Sequence, residues 1–97
     1  MSMNTPRIEH WSIEAAAPDP YKDPQLPRGM VARGIVYGHA LFEDGAEILT
    51  SNIRSMDTET SSMSTVRSQY ILGSMSPSYE KWRVAQGLGK RVRYAMS

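Results

Sequence analysis

The chain has 97 residues, no cysteine and a formal charge of +1, with Lys and Arg almost balanced by Asp and Glu. That length makes one small domain, which buries roughly 60–65% of the surface its unfolded chain exposes and therefore has a thin core. The lack of cysteine excludes disulfides, thiolate nucleophiles and Cys-type zinc sites together. Charge is unevenly placed: from Pro77 onward Lys81, Arg83, Lys90, Arg91 and Arg93 face only Glu80, whereas Gly29 to Ser76 is acidic on balance.

Residues 1–7 read as a frayed terminus. They hold no apolar stretch of signal-peptide length and no run approaches a membrane span, so the expectation is a cytoplasmic protein with no membrane partner. Ile8 to Ala15 alternates, with Trp11, Ile13 and Ala15 on one side and His10, Ser12 and Glu14 on the other. The period predicts a first strand anchored by a buried Trp11; the Ala15-Ala16-Ala17 run favours a helix, but Pro18 stops it early. Residues 18–28 contain Pro18, Pro20, Pro24 and Pro27, which fix φ and remove backbone donors, so a loop is expected. Two roles stand open for it: a surface connector, or a stiff binding loop with Tyr21 and Leu26 as anchors.

Residues 29–73 predict a β-meander. Met30 to Phe42 and Ala46 to Arg54 form two arms around Glu43-Asp44-Gly45, a spacing that suits a type I turn followed by a left-handed Gly45. Both arms carry apolar groups on both faces, and Gly34 suggests a bulge or bend that exchanges them. Met56 to Ser64 is polar and reads as a mobile connection or long hairpin loop, with Met56, Met63 and Met75 as adaptable contacts if exposed. Ser64 to Gly73 alternates as one strand, with Val66, Tyr70 and Leu72 facing inward. Ser76-Pro77 opens a short helix over residues 76–87, which Tyr79 and Trp82 dock on the sheet and Gly87 ends. Residues 90–96 predict a last edge strand, with Val92, Tyr94 and Met96 opposite a basic outer face of Arg91 and Arg93. The sum is a mainly β, α+β fold: a small, strongly bent antiparallel sheet or SH3-like barrel of about four to five strands, with one short helix near the C-terminus.

The chain holds no HExxH, GxSxG, P-loop or GxGxxG pattern, and nothing in the spacing joins His10 or His39 to Asp44 as a metal site. No catalytic, cofactor or metal residue is assigned, and the expectation is a protein without enzymatic activity. Protein binding is the leading reading. Sheet edges offer β-augmentation, and the proline loop and basic end suit an acidic partner; the candidate residues are Tyr21, Leu26, Lys81, Arg83, Lys90, Arg91, Arg93 and Tyr94. Nucleic-acid binding is the alternative, because the same cations lie near Tyr79, Trp82 and Tyr94, the ingredients of a single-strand platform. Against it stands the nearly neutral overall charge. A structural virion component is a third reading.

The run from Gly38 to Ile53 fits G-H-x-x-F-x-D-G-x-x-I-x-T-S-x-I through Gly38, His39, Phe42, Asp44, Gly45, Ile48, Thr50, Ser51 and Ile53. Ser68, Tyr70, Leu72 and Gly73 then fit S-x-Y-x-L-G. In these two segments the chain resembles a group of small bacterial and phage proteins to which no activity is attached. The resemblance implies a small β-fold and an origin on a mobile element. By association it implies a protein that binds and blocks a host complex, such as a CRISPR or other defence effector, nucleic-acid-containing complexes included.

Overall fold

The computed structural model describes residues 5–16 and 29–95. In chain order these form β1 (Arg7–Ala15), β2 (Met30–Tyr37), β3 (Ala46–Leu49), β4 (Ile53–Asp57), β5 (Ser62–Thr65), β6 (Gln69–Leu72), α1 (Pro77–Ala85) and β7 (Arg93–Ala95). The seven strands make one sheet in the order β3-β2-β1-β6-β5-β4-β7. The fold is mainly β with one short helix. It departs from expectation in having seven strands, in being mixed because β1 and β6 pair in parallel, and in not closing into a barrel. Nor is α1 near the C-terminus, since a loop and the edge strand β7 follow it.

Two bulges decide which side chains form the core. In β1, His10 and Trp11 together oppose Gly34 of β2, because the register passes from Glu9↔Ile35 to Ser12↔Arg33. His10 takes up the extra residue with a left-handed φ of 52°. The bulge thus lies in β1. Gly34 is the residue that makes room for it, and a Cβ there would stand 2.7 Å from the Ile8 side chain. Its effect is to turn both Ile8 and Trp11 inward, at 0% and 2% exposure, although they are three residues apart. A second irregularity between Ile53 and Ser55 does the same in β4, where Ile53 and Met56 are both buried.

Several expected elements change accordingly. The first arm ends at Tyr37, and Gly38 to Gly45 is an eight-residue connection pinned by Gly38 N–H to Asp44 Oδ1 (2.7 Å) and Gly45 N–H to the Val36 carbonyl (2.8 Å). Gly45 is left-handed at φ 88°, as its place in the turn requires. The polar stretch from Met56 to Ser64 is a hairpin, and Met56 and Met63 are opposed in the core, so neither is an exposed contact. Met75 is half-buried and bridges to Trp11. The run from Ser64 to Gly73 is also a hairpin, folded at Val66 and Arg67: the Thr65 amide and hydroxyl both donate to the Ser68 carbonyl, and Val66 is exposed.

Trp11 is the largest fully buried side chain. Its indole N–H donates to the Gly73 carbonyl at 3.0 Å, and its backbone accepts from Ser76 N–H at 2.8 Å. The chain after β6 is thereby held along β1 until α1 begins. Beside it, Glu9 accepts from the backbone N–H (3.2 Å) and hydroxyl (2.9 Å) of Ser74 and pairs with Arg7 at 3.1 Å. Burial alone would raise the Glu9 carboxyl. The Ser74 hydrogen bonds and the Arg7 and His10 charges more than offset that and hold it below its ordinary value of 4.5.

The segment Thr50 to Asn52 joins β3 to β4 across the sheet. Thr50 exchanges hydrogen bonds with Ala32 of β2: Thr50 N–H donates to the Ala32 carbonyl (2.8 Å), and Ala32 N–H donates to Thr50 Oγ1 (3.0 Å). On the far side, Val66 N–H donates to the Asn52 carbonyl (2.9 Å) and Ser51 Oγ donates to Thr65 Oγ1 (3.0 Å).

Two outcomes are expected. Thr50→Val leaves the buried Ala32 N–H without its acceptor and lowers unfolding free energy by about 1–3 kcal/mol, read from urea titration, whereas Thr50→Ser keeps the bond and loses less. Because the Glu9 carboxyl is depressed in the folded state, its contribution is complete above 4.5 and is lost as pH falls through the lower folded value. Glu9→Gln therefore flattens the acid limb of the urea midpoint against pH; an unchanged acid limb would show that Glu9 is not responsible.

Candidate functional site

The C-terminal third builds a cleft. Helix α1 starts with Pro77 in its first turn and ends at Ala85, capped by Gln86, with Gly87 left-handed at φ 76° just beyond. The freed carbonyls are taken up locally: Gly87 N–H donates to Val84 (3.0 Å) and Leu88 N–H to Arg83 (2.8 Å). Gly89, at φ 69°, helps turn the chain back toward the sheet. The Arg83 guanidinium then ties this return together. Its Nε donates to the Gly89 carbonyl (2.8 Å), Nη2 to the Arg91 carbonyl (3.2 Å) and Nη1 to the Tyr79 hydroxyl (3.4 Å), and its Cζ lies 5.8 Å from the Tyr79 ring centroid. Thr58 anchors the other end, exchanging backbone and side-chain hydrogen bonds with Val92 at 3.0 Å. From there β7 pairs with β4, Tyr94 opposite Met56.

The result is a cleft of about 310 Å³. Its floor is the edge of the core, Ile53, Met56 and Val92, and Arg83, Arg91 and Arg93 stand around it with Tyr79 and Tyr94. Among the described residues, no acidic side chain lines it.

The expected partner residues divide as follows. Arg83, Arg91, Arg93 and Tyr94 converge on this cleft. Lys81 is exposed on the outer side of α1, beside Pro77, Glu80 and Val84. Lys90 pairs with Glu80 at 2.9 Å, a hydrogen bond and charge that raise the pKa of its ammonium group. Arg91 pairs with Glu59 at 2.8 Å. Tyr21 and Leu26 lie outside the described residues. Met56 escapes sequence reasoning because it sits in a stretch that looks like a polar loop, whereas Ile13, expected on the Trp11 side of β1, does pack against the core.

The helix also differs from expectation. It buries none of its residues. Tyr79 packs on the core near Trp11, with ring centroids 6.3 Å apart, but Trp82 does not dock on the sheet. It is 53% exposed and lies nearly parallel to Tyr79, centroids 6.0 Å apart.

At the opposite end, His39 is held by Leu41 N–H donating to Nδ1 (3.0 Å) and by the Tyr70 hydroxyl 3.3 Å from Nε2. Burial raises the pKa of that hydroxyl, against the Ser68 hydrogen bond that would lower it. Among the described residues, no group of three His, Cys, Asp or Glu side chains is placed to hold a metal ion. No described helix is long and apolar enough to cross a membrane. The residues of the G-H-x-x-F-x-D-G pattern have structural work here: Asp44 and Gly45 shape the loop, Ile48 and Ile53 are core, and Thr50 and Ser51 join the two sides of the sheet. No protein-family model, curated protein or solved structure matches the chain.

Replacing Arg83 by Met keeps the aliphatic stem but removes the three donors. Stability should fall by about 1–3 kcal/mol in urea titration. Arg83→Lys should not restore it, since an ammonium lacks the planar fork that reaches both carbonyls.

Proposed function

We propose that the protein is a non-enzymatic protein-binding module whose contact surface is α1 with the adjoining basic edge β7. The observation that carries this reading is a nine-residue helix that buries none of its side chains while leaving Trp82 53% and Val84 58% exposed, with Leu88 51% exposed just beyond it. A helix this short is marginal on its own, and apolar side chains gathered on an exposed element mark surfaces that a partner covers. Trp is among the residues that most often dominate such interfaces. Lys81 on the helix and Arg93 on β7 have no ion-pair partner among the described residues, and both suit an acidic partner. The resemblance to bacterial and phage proteins supports an accessory protein that binds and blocks a host complex.

Nucleic-acid binding is the weaker reading. Of the five cations it would use, Lys90 and Arg91 are ion-paired and Arg83 is committed to backbone carbonyls, which leaves Lys81 and Arg93. Tracking a phosphate backbone takes several convergent cations.

The test is capture from a bacterial lysate with tagged protein, in nuclease-treated and untreated halves at moderate salt. One stoichiometric protein retained after nuclease, and lost with Trp82→Ser or Val84→Glu, supports the reading. Neither side chain is buried, so both variants should melt close to the unaltered protein. Capture that disappears with nuclease, or that is indifferent to both substitutions, overturns it.

A further inference from the structure

The connection over residues 38–45 is fastened firmly at its base and lightly at its tip. At the base, Gly38 N–H donates to Asp44 Oδ1 (2.7 Å), Gly45 N–H to the Val36 carbonyl (2.8 Å) and Ala46 N–H to the Glu43 carbonyl (3.1 Å). The tip is Ala40, Leu41 and Phe42, all exposed, Leu41 at 81%. Among the described residues, its polar and aromatic contacts are both to one side chain. Leu41 N–H donates to His39 Nδ1 (3.0 Å), and the Phe42 ring meets the imidazole edge-on, with centroids 4.8 Å apart.

The first of these contacts fixes the state of the ring. A backbone N–H only donates, so Nδ1 presents its lone pair and the neutral imidazole carries its proton on Nε2. Nε2–H then donates to the Tyr70 hydroxyl oxygen, 3.3 Å away. A second proton can enter only at Nδ1, where it sets one N–H against another. The charge thus removes the acceptor on which the tip depends, while the bond from Nε2 to Tyr70 survives and keeps the ring in place. Of the groups around His39, Arg67 in the turn between β5 and β6 lines the same cavity and opposes the charge. Asp44, bonded to the adjoining Gly38 amide, and Glu43 in the same loop favour it. Tyr70, on β6, stays a neutral phenol because burial raises its pKa. Thr5 and Pro6, ahead of β1, bring no charge.

We propose that the loop over residues 38–45 is a pH-sensitive switch, in which neutral His39 holds the Leu41 and Phe42 tip closed and a proton on Nδ1 releases it. Histidine is the side chain suited to this, since imidazoles ordinarily change charge between about pH 5 and pH 8. Gly38 and Gly45, left-handed at φ 73° and 88°, flank the tip, and the bonds at the base keep its release from unravelling β2 and β3. In the released state Phe42, 44% exposed in the closed loop, loses its contact with the imidazole and stands free beside Leu41. None of these residues belongs to the surface proposed on α1 and β7, so the two proposals fail independently.

The test is an NMR titration of the isotope-labelled full chain from about pH 8 to about pH 5. At the alkaline end the ring nitrogens of His39 should report the Nε2–H tautomer. As pH falls, the Leu41 amide should move with the same midpoint as the His39 ring. Its protection from hydrogen exchange should drop about two- to tenfold, the worth of one hydrogen bond, while the Gly38 and Gly45 amides keep theirs. His39→Gln supplies an acceptor that does not titrate, and it should leave the Leu41 amide unmoved over the same range. An Nδ1–H tautomer overturns the proposal, as does a His39 titration that Leu41 does not follow, or a Leu41 shift that persists in His39→Gln. The tautomer and the shared midpoint are read on the unaltered protein, so they decide the matter even where the variant fails to fold.

Discussion

Everything in this fold depends on the shortness of the junction between β3 and β4. Those strands are five steps apart in the sheet order, which in a flat sheet would separate them by about 24 Å at the usual strand spacing. The chain from Leu49 to Ile53 reaches at most about 14 Å. The sheet must therefore roll until β2 and β5 approach the same few residues. Thr50 bonds to Ala32 on one side, and Asn52 and Ser51 bond to Val66 and Thr65 on the other, so the hydrogen bonds of the junction fix the curvature that its length demands. This explains why a hydroxyl is buried at Thr50, 7% exposed: an aliphatic side chain of the same size would fill the space but leave a backbone donor stranded.

Rolling a sheet needs places where strands bend, and the two bulges supply them. They also explain how far the sequence could be read. Trp11 as a buried anchor, the left-handed Gly45, the helix start at Ser76-Pro77 with its stop at Gly87, and the basic edge strand at the end were all legible, because each rests on a local rule of pattern or turn chemistry. The strand count was not. Ile8 with Trp11, and Ile53 with Met56, are inward pairs three residues apart, a spacing no unbroken strand produces. Alternation counted back from Trp11 through His10 puts Ile8 on the wrong face, and counted on from Ile53 through Arg54 it does the same to Met56. The same blindness turned Met56 and Met63 into loop residues, although they face each other in the core. The two hairpins after Ile53 turn through Thr58-Glu59-Thr60-Ser61 and Val66-Arg67-Ser68, with no glycine or Asn-Gly signal, so one hairpin was read as a loop and the other as a strand. The parallel pairing of β1 with β6, in which Ile71 N–H donates to the Pro6 carbonyl and Gly73 N–H to the Ile8 carbonyl, is a long-range choice that no local pattern records.

The basic C-terminal end was legible as charge but not as structure. A count of cations gives five between Lys81 and Arg93, yet they occupy three different situations. Arg83 is chiefly a structural tie, because its guanidinium supplies donors to carbonyls that a loop rich in glycine leaves bare. Lys90 and Arg91 hold acidic neighbours at the surface, where such pairs contribute little to stability and exchange readily. Only Lys81 and Arg93 present charge with no ion pair among the described residues. A patch that looks uniform in sequence is thus divided by geometry between folding and recognition.

That division also accounts for the cleft. Arg83 reaches back to the Gly89 and Arg91 carbonyls and so holds the return from α1 to β7, where Val92 is buried in the core with Ile53 and Met56. Tyr79 alone reaches inward, the helix keeps its apolar side chains outside, and a pocket with a cationic rim remains beneath it. In a chain of this size, with few side chains to spare for the core, leaving Trp82, Val84 and Leu88 exposed at one helix forgoes burial that would stabilise the fold. A partner that covers those side chains recovers that burial, which is the physical reason to look for one at α1.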